Sequence, residues 1–211
     1  SAIASTAAIA IDNASLFNDL QQSKLDLEAA YTSTLEGWAR AIELRDHETE
    51  GHTRRVTEMT GRCARHLDLP QPGLEPLERG ALLHDIGKMG VGDAILRKPG
   101  PLTPEERTEM EQHPRFAHEM LSPIAFLQSA IDIPYCHHEK WDGSGYPRGL
   151  QGEAIPLAAR LFCIVDVWDA LSQDRYYRPA WAPEKVRTFL REQAGRHFDP
   201  ALVEAFLAML A

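Results

Sequence analysis

Apolar residues recur through the first 45 positions at close to a helical period, at Phe17, Leu20, Leu27, Tyr31, Leu35, Trp38 and Ile42. That stretch contains no proline and one glycine, Gly37. A second register, through Ile9, Leu16, Leu20, Leu27 and Ala30, steps in heptads interrupted by Asn13, Ser23 and Thr34. The pattern predicts one long helix whose seam could pair with a second copy of the chain. A helix folded back on its own domain is the competing reading. From Asp46 onward, helical segments alternate with Pro and Gly punctuation. Thr103-Pro104-Glu105-Glu106 reads as an N-cap, a proline at the first helical position and an acidic first turn. Ala182-Pro183-Glu184 and Asp199-Pro200-Ala201 repeat the device. Pro70-Gln71-Pro72-Gly73 is expected to close a helix running from about Glu50, residues 87–101 to form a Gly-rich loop, and 134–156 to be irregular. Proline in a helix interior costs about 3 kcal/mol, so Pro114 predicts a break at His113 within the helical stretch 104–121. Strand-like alternation is nearly absent. The expected fold is all-α, with a connector helix over 1–45 and a helical domain over 46–211.

Composition narrows the classes. A chain of 211 residues that is 44% hydrophobic and 25% charged is neither disordered nor fibrous. With 22 Lys+Arg against 31 Asp+Glu, the net charge of −9 argues against a DNA or RNA polymer as partner. Cys63, Cys136 and Cys163 are odd in number and lack CxxC spacing, which points to a reducing, cytoplasmic setting. No apolar run approaches the ~20 residues of a membrane span. The first ten residues lack the features of a signal peptide, and a chain that does not begin with Met reads as a piece of a longer one.

Nine histidines change the picture through their placement. Glu48 and His52 lie at i and i+4, a spacing that taken alone favours a surface hydrogen-bonded pair. His84-Asp85 follows the apolar Ala81-Leu82-Leu83 and precedes Ile86-Gly87-Lys88, which places two polar groups at a buried edge. His113 stands before Pro114, and His137-His138-Glu139 precedes a loop containing Trp141-Asp142-Gly143-Ser144-Gly145-Tyr146-Pro147. Asp166 and Asp169 sit in the apolar run 161–169, where a buried carboxylate needs a cation or a partner. Each signal is weak alone. Together they form an imidazole and carboxylate set without thiolate, suited to Fe, Mn, Co or Zn and larger than one ion can use. Two or three metals sharing a bridging Asp would generate hydroxide at neutral pH and clamp an in-line phosphoryl displacement.

In this order, Glu48-xxx-His52, His84-Asp85-Ile86-Gly87-Lys88, His113-Pro114, His137-His138-Glu139, Gly145-Tyr146-Pro147 and Asp166-xx-Asp169 resemble the HD-GYP domain. These are bacterial cyclic-di-GMP phosphodiesterases of the HD metal-dependent phosphohydrolase superfamily. The resemblance covers roughly residues 46–211 and implies an HD-type helical bundle. It further implies that His52, His84, Asp85 and Asp166 form the basic metal set, with Asp85 bridging. His113, His137 and His138 become ligands of a second ion, and Glu48 matches a glutamate that accompanies a third. Fe or Mn is the implied metal. Lys88 matches a lysine facing the scissile phosphate, while Arg175 and Arg178 match positions that hold substrate phosphates. Gly145, Tyr146 and Pro147 match the loop that shapes the substrate side and meets partner proteins. The implied reaction opens cyclic-di-GMP to pGpG, with the further step to GMP left open, through a metal-bridging hydroxide. A metal-occupied receptor with little turnover, or action on another cyclic dinucleotide or nucleotide, are the alternatives. Residues 1–45, with Ile11-Asp12-Asn13-Ala14-Ser15-Leu16-Phe17, resemble the terminal helix of a GAF-type sensor running into a signalling helix, and the heptad seam of that helix favours a homodimer. The chain departs from the pattern at Ala117, where glycine is common, and at Gly92, where proline is common. The loss of proline is expected to loosen the loop after Lys88. His118 is expected to be an exposed helix residue, and His47, His66 and His197 surface or capping residues.

Overall fold

The computed structural model describes residues 2–46, 51–174 and 179–210. Among these the chain forms ten α-helices and no strand. They are α1 (Ala2–Asp46), α2 (His52–His66), α3 (Gln71–Leu82), α4 (Asp93–Leu96), α5 (Pro104–Met110), α6 (His113–Leu121), α7 (Asp132–Cys136), α8 (Leu157–Ser172), α9 (Pro183–Glu192) and α10 (Pro200–Met209). Short 3-10 segments occupy Ile86–Gly90, Ala125–Ala130 and Gly152–Ala154. The chain divides into two compact units, Ser1–Gly37 and Trp38–Ala211. The first unit is helix α1 up to Gly37, with Ile11, Leu16, Phe17, Leu20 and Leu27 all exposed.

The second unit is built around α8. Residues Leu161, Phe162, Cys163, Ile164 and Val165 are buried in succession, as in a helix surrounded by others. Against it pack Val56, Cys63 and Ala64 of α2, Leu74, Leu77 and Ala81 of α3, Leu190 of α9, and Val203, Phe206 and Leu207 of α10. Because α8 is apolar on all sides in its middle, its two aspartates emerge where that core meets the next layer, which prepares the site.

Local signals account for most boundaries. Thr103 closes a capping box, accepting from the Glu106 amide while Glu106 reaches back to the Thr103 amide. Asp199 accepts from the amides of Ala201 and Leu202 at the start of α10. The break at His113 is present: α5 ends at Met110, and α6 restarts with Pro114 in its first turn, where proline's missing N–H is harmless. Two expectations fail. The 70–73 segment does not simply close a helix: α2 already ends at His66, Asp68 turns the chain at φ 52°, and Pro72 and Gly73 lie in the first turns of α3. Residues 87–101 are also not one loop, because the 3-10 segment and α4 order most of their first half.

Candidate metal centre

Four elements deliver five imidazoles to one place, and four of the rings are fixed through the nitrogen that faces away from it. His84 Nδ1 donates to the Ala81 carbonyl at 2.9 Å, His113 Nδ1 to Met110 at 2.9 Å, and His137 Nδ1 to Ile133 at 3.1 Å. His52 Nδ1 donates instead to the Asp169 carboxylate at 2.8 Å, and Arg55 holds that carboxylate through Nε at 2.7 Å and Nη2 at 2.9 Å. A carbonyl or carboxylate can only accept, so the Nδ1 proton is assigned in all four rings. In its neutral form each of these rings presents a bare Nε2 lone pair.

Those lone pairs, together with the half-buried Asp166 and His138, converge in two groups, His52–His84–Asp166 and His113–His137–His138, the ligand atoms of each lying within 4.8 Å of one another. His52 Nε2 is 3.3 Å from Asp166 Oδ1, and His113 Nε2 is 3.4 Å from His137 Nε2. Asp85 stands between the groups: Oδ2 is 3.1 Å from His84 Nε2, and Oδ1 is 3.5 Å from His113 Nε2 and 3.9 Å from His137 Nε2. Acceptor faces acceptor at every one of these approaches. Only a proton or a cation between them makes such packing favourable, and the N/O donor set suits a divalent transition metal.

The protonation directions of three rings agree, and that of His84 is opposite. Burial pushes His113 down, His137 down to about 3 and His138 well below its ordinary range, leaving neutral ligands. Burial also works against His84, but the adjoining Asp85 carboxylate outweighs it and raises the ring. Asp85 and Asp166 resist burial that would raise them. Lys88 and His84 hold Asp85 well below the carboxylate range, and His52 does the same for Asp166.

Close backbone approaches set this geometry. A Cβ on Gly87 would lie 1.8 Å from the His113 carbonyl oxygen, so glycine lets the start of α6 reach the His-Asp segment. Ala117 is fully buried beside it. The loop 143–150 is held similarly. A Cβ on Gly145 would sit 2.3 Å from the Lys140 nitrogen, and the buried Glu139 accepts from the amides of Arg148 at 2.8 Å and Leu150 at 3.0 Å. Tyr146, followed by a cis peptide to Pro147, thereby stacks on His138 with ring centres 4.7 Å apart. Lys88 Nζ lies 2.7 Å from Asp85 Oδ2 and 2.8 Å from Asp46 Oδ2.

Seven anticipated residues, His52, His84, Asp85, His113, His137, His138 and Asp166, are thus brought together, with Lys88 and Tyr146 at their edge. Glu48, Arg175, Arg178 and His47 lie outside the described residues. His66 is exposed. His197 is not a surface residue: its ring lies on Phe198 at 4.2 Å with Nε2 3.5 Å from Cys163 Sγ, and burial lowers it to about 4. His118 is half-buried on the Tyr135 ring rather than exposed. Arg55, Asp46 and Arg45 escaped the sequence reading. Arg55 carried a faint signal, one helical turn after His52, whereas Arg45 and Asp46 carried none.

Residues 37–202 match the family model described as HD domain. The chain belongs to the HD domain family. Among relatives of this HD domain, it is 43% identical to the cyclic di-GMP phosphodiesterase response regulator RpfG of Xanthomonas campestris, over 92% of this chain and 52% of that protein. It is 38% identical to the 3'3'-cGAMP-specific phosphodiesterase 2 of Vibrio cholerae, over 94% of this chain and 37% of that protein. The HD domain chain therefore spans about half or less of the curated relatives it matches. The fold is shared with an HDG"Y"P protein from Bdellovibrio bacteriovorus, at a TM-score of 0.58 and 23% identity over 75% of this chain and 51% of that one.

Proposed function

We propose that this chain is the phosphohydrolase part of a metal-dependent cyclic-di-GMP phosphodiesterase, yielding pGpG or, by a second hydrolysis, GMP. One observation carries the reading: two histidine-rich clusters lie on either side of Asp85, with Lys88 against the same carboxylate. The clusters would hold His52, His84 and Asp166 on one ion and His113, His137 and His138 on another, with Asp85 shared, and Fe or Mn fits that donor set. Glu48 would serve a third ion. Bound ions would supply Lewis acidity and a water activated at neutral pH.

The chain's own residues do the rest. Asp169 and Arg55 keep His52 in one tautomer and one orientation. Lys88 presents a positive charge to the non-bridging phosphate oxygens, and Arg175 and Arg178 orient the substrate phosphates. Tyr146, stacked on His138, walls the substrate side. The exposed Ser144 and Arg148 beside it support a protein partner at the Gly145-Tyr146-Pro147 loop. Exposed Leu16, Phe17, Leu20 and Leu27 on α1 support a homodimer through that helix. Three buried free thiols support a reducing cytoplasmic setting. No helix among the described residues is long and apolar enough to cross a membrane.

The test is incubation of Mn- or Fe-loaded protein with cyclic-di-GMP and, separately, with 3'3'-cGAMP, with products separated by chromatography. Conversion of the first to pGpG supports the proposal. Conversion of only the second moves the substrate to the mixed dinucleotide, an outcome favoured by the Vibrio relative's name. Binding without turnover makes the chain a receptor.

A further inference from the structure

The segment carrying Lys88 is gripped from outside the site. Arg45, in the last turn of α1, donates through Nη1 to the carbonyls of Lys88 and Met89, each at 3.0 Å, and through Nη2 to that of Val91 at 2.7 Å. Its Nε donates to Asp93 Oδ1 at 2.9 Å. One guanidinium thus caps the C-terminal carbonyls of the 3-10 segment Ile86–Gly90, where oxygens are left without helical partners and a cation is favoured. The next residue, Asp46, takes Lys88 Nζ itself at 2.8 Å, opposite Asp85. Two residues before Arg45, Glu43 Oε1 accepts from the Thr53 amide at 2.8 Å. That bond caps α2 beside His52, where Gly51 offers no side chain of its own. Ala39 and Ile42, buried in the same unit, anchor this end of α1.

We propose that Glu43, Arg45 and Asp46 form a latch through which the end of α1 positions the two segments bearing His52 and Lys88. These are positioning residues: they act through His52 and Lys88 and touch no reacting atom. A rotation of α1 by one residue, about 100°, would carry Arg45 off the three carbonyls and Asp46 off the ammonium. The alignment of the lysine with the metal cluster is therefore tied to the helix that continues upstream as the connector. The latch also accounts for the order after Lys88 despite Gly92, since Arg45 supplies the restraint a proline would have given. The catalytic consequence rests on the phosphodiesterase reading; the mechanical one does not.

The experiment compares the full chain with Arg45→Ala and Arg45→Lys by amide hydrogen exchange, bound-metal analysis and steady-state kinetics. Arg45→Ala is expected to speed exchange at Lys88 and Val91 about tenfold or more, leaving α9 and α10 unchanged. Turnover number should fall roughly 10- to 100-fold, with KM changed less than about threefold and metal content intact, as for misplacement by an ångström. Arg45→Lys should recover little, because one ammonium cannot fan across three carbonyls and a carboxylate. It carries the same exchange test if the alanine variant does not fold. Unchanged exchange at residues 86–91 overturns the latch, and faster exchange with wild-type turnover overturns its positioning role. If the wild-type chain turns over no cyclic dinucleotide, the phosphodiesterase reading fails, and the latch stands or falls on exchange alone.

Discussion

His52 shows how much of this centre is decided one atom away from it. Its Nε2 faces Asp166 only because Nδ1–H is held by Asp169, and Asp169 is held in turn by Arg55. Removing an orienting carboxylate of this kind typically costs 10–100-fold in metal affinity, so Asp169→Asn should weaken Mn binding by about that factor. Isothermal titration measures it; wild-type affinity in the variant would mean that the Asp169 bond does not shape the site. Asp85→Ala should do more, because Asp85 faces both clusters. Turnover and the bound-metal count are expected to drop together, and substantial residual activity would count against a shared carboxylate. These roles differ in how readable they are. Asp166 and Asp169 stood out as acids in an apolar run, but which one faces the cluster and which one backs a histidine depends on how α8 is rotated in its packing, the two side chains lying about 60° apart around it.

Among the elements, the short helices after the His-Asp segment carry the most positional information per residue. The capping box of α5 is visible in four consecutive residues, and Thr103→Ala should cost about 1 kcal/mol, lowering Tm by roughly 2–4 °C in a calorimetric scan. A larger prediction attaches to Gly87. An alanine there needs a Cβ 1.8 Å from the His113 carbonyl oxygen, so α6 must move away from Asp85. Gly87→Ala should therefore lower metal content as well as stability, and a variant with full metal content would refute this account of the close approach. Breaks at His113 and starts at Thr103 and Asp199 were legible because proline and N-cap residues act locally. The 70–73 segment was misread for a related reason: proline marks a helix start as readily as a stop, and only packing of α3 on α2 decides which.

For the whole molecule, the buried rings couple metal, proton and fold. Burial holds His137 at about 3, against 6.5 for the free ring, so between those values the unfolded chain binds a proton that the folded one refuses. Stability of the metal-free protein should fall as pH drops from about 6.5 toward 3, by up to about 1.4 kcal/mol per pH unit for each such histidine. His113, His138 and His197 add in the same direction. His84 opposes them, because its raised value gives stability that is lost as pH rises through it. Urea midpoints of chelated protein at pH 5 and pH 7 test the sum, and a higher midpoint at pH 5 would contradict it. Metal binding should raise the midpoint at pH 7 in proportion to RT ln(1 + [M]/Kd).

Amino-acid order alone determined the helical class, the long first helix, the proline-marked starts and the roster of histidines and aspartates, because each follows from neighbours within a turn or two. The net charge of −9 argued against a nucleic-acid polymer as partner, and only the clustering of Asp85 and Asp166 with five imidazoles shows where part of that charge is placed. Tertiary structure alone decided that His52 presents Nε2, that Asp85 lies between two clusters, and that Arg45 and Asp46 at the end of α1 hold the Lys88 segment. Those are relations between residues up to 117 positions apart, set by helix packing and backbone close approach, and no local pattern encodes them.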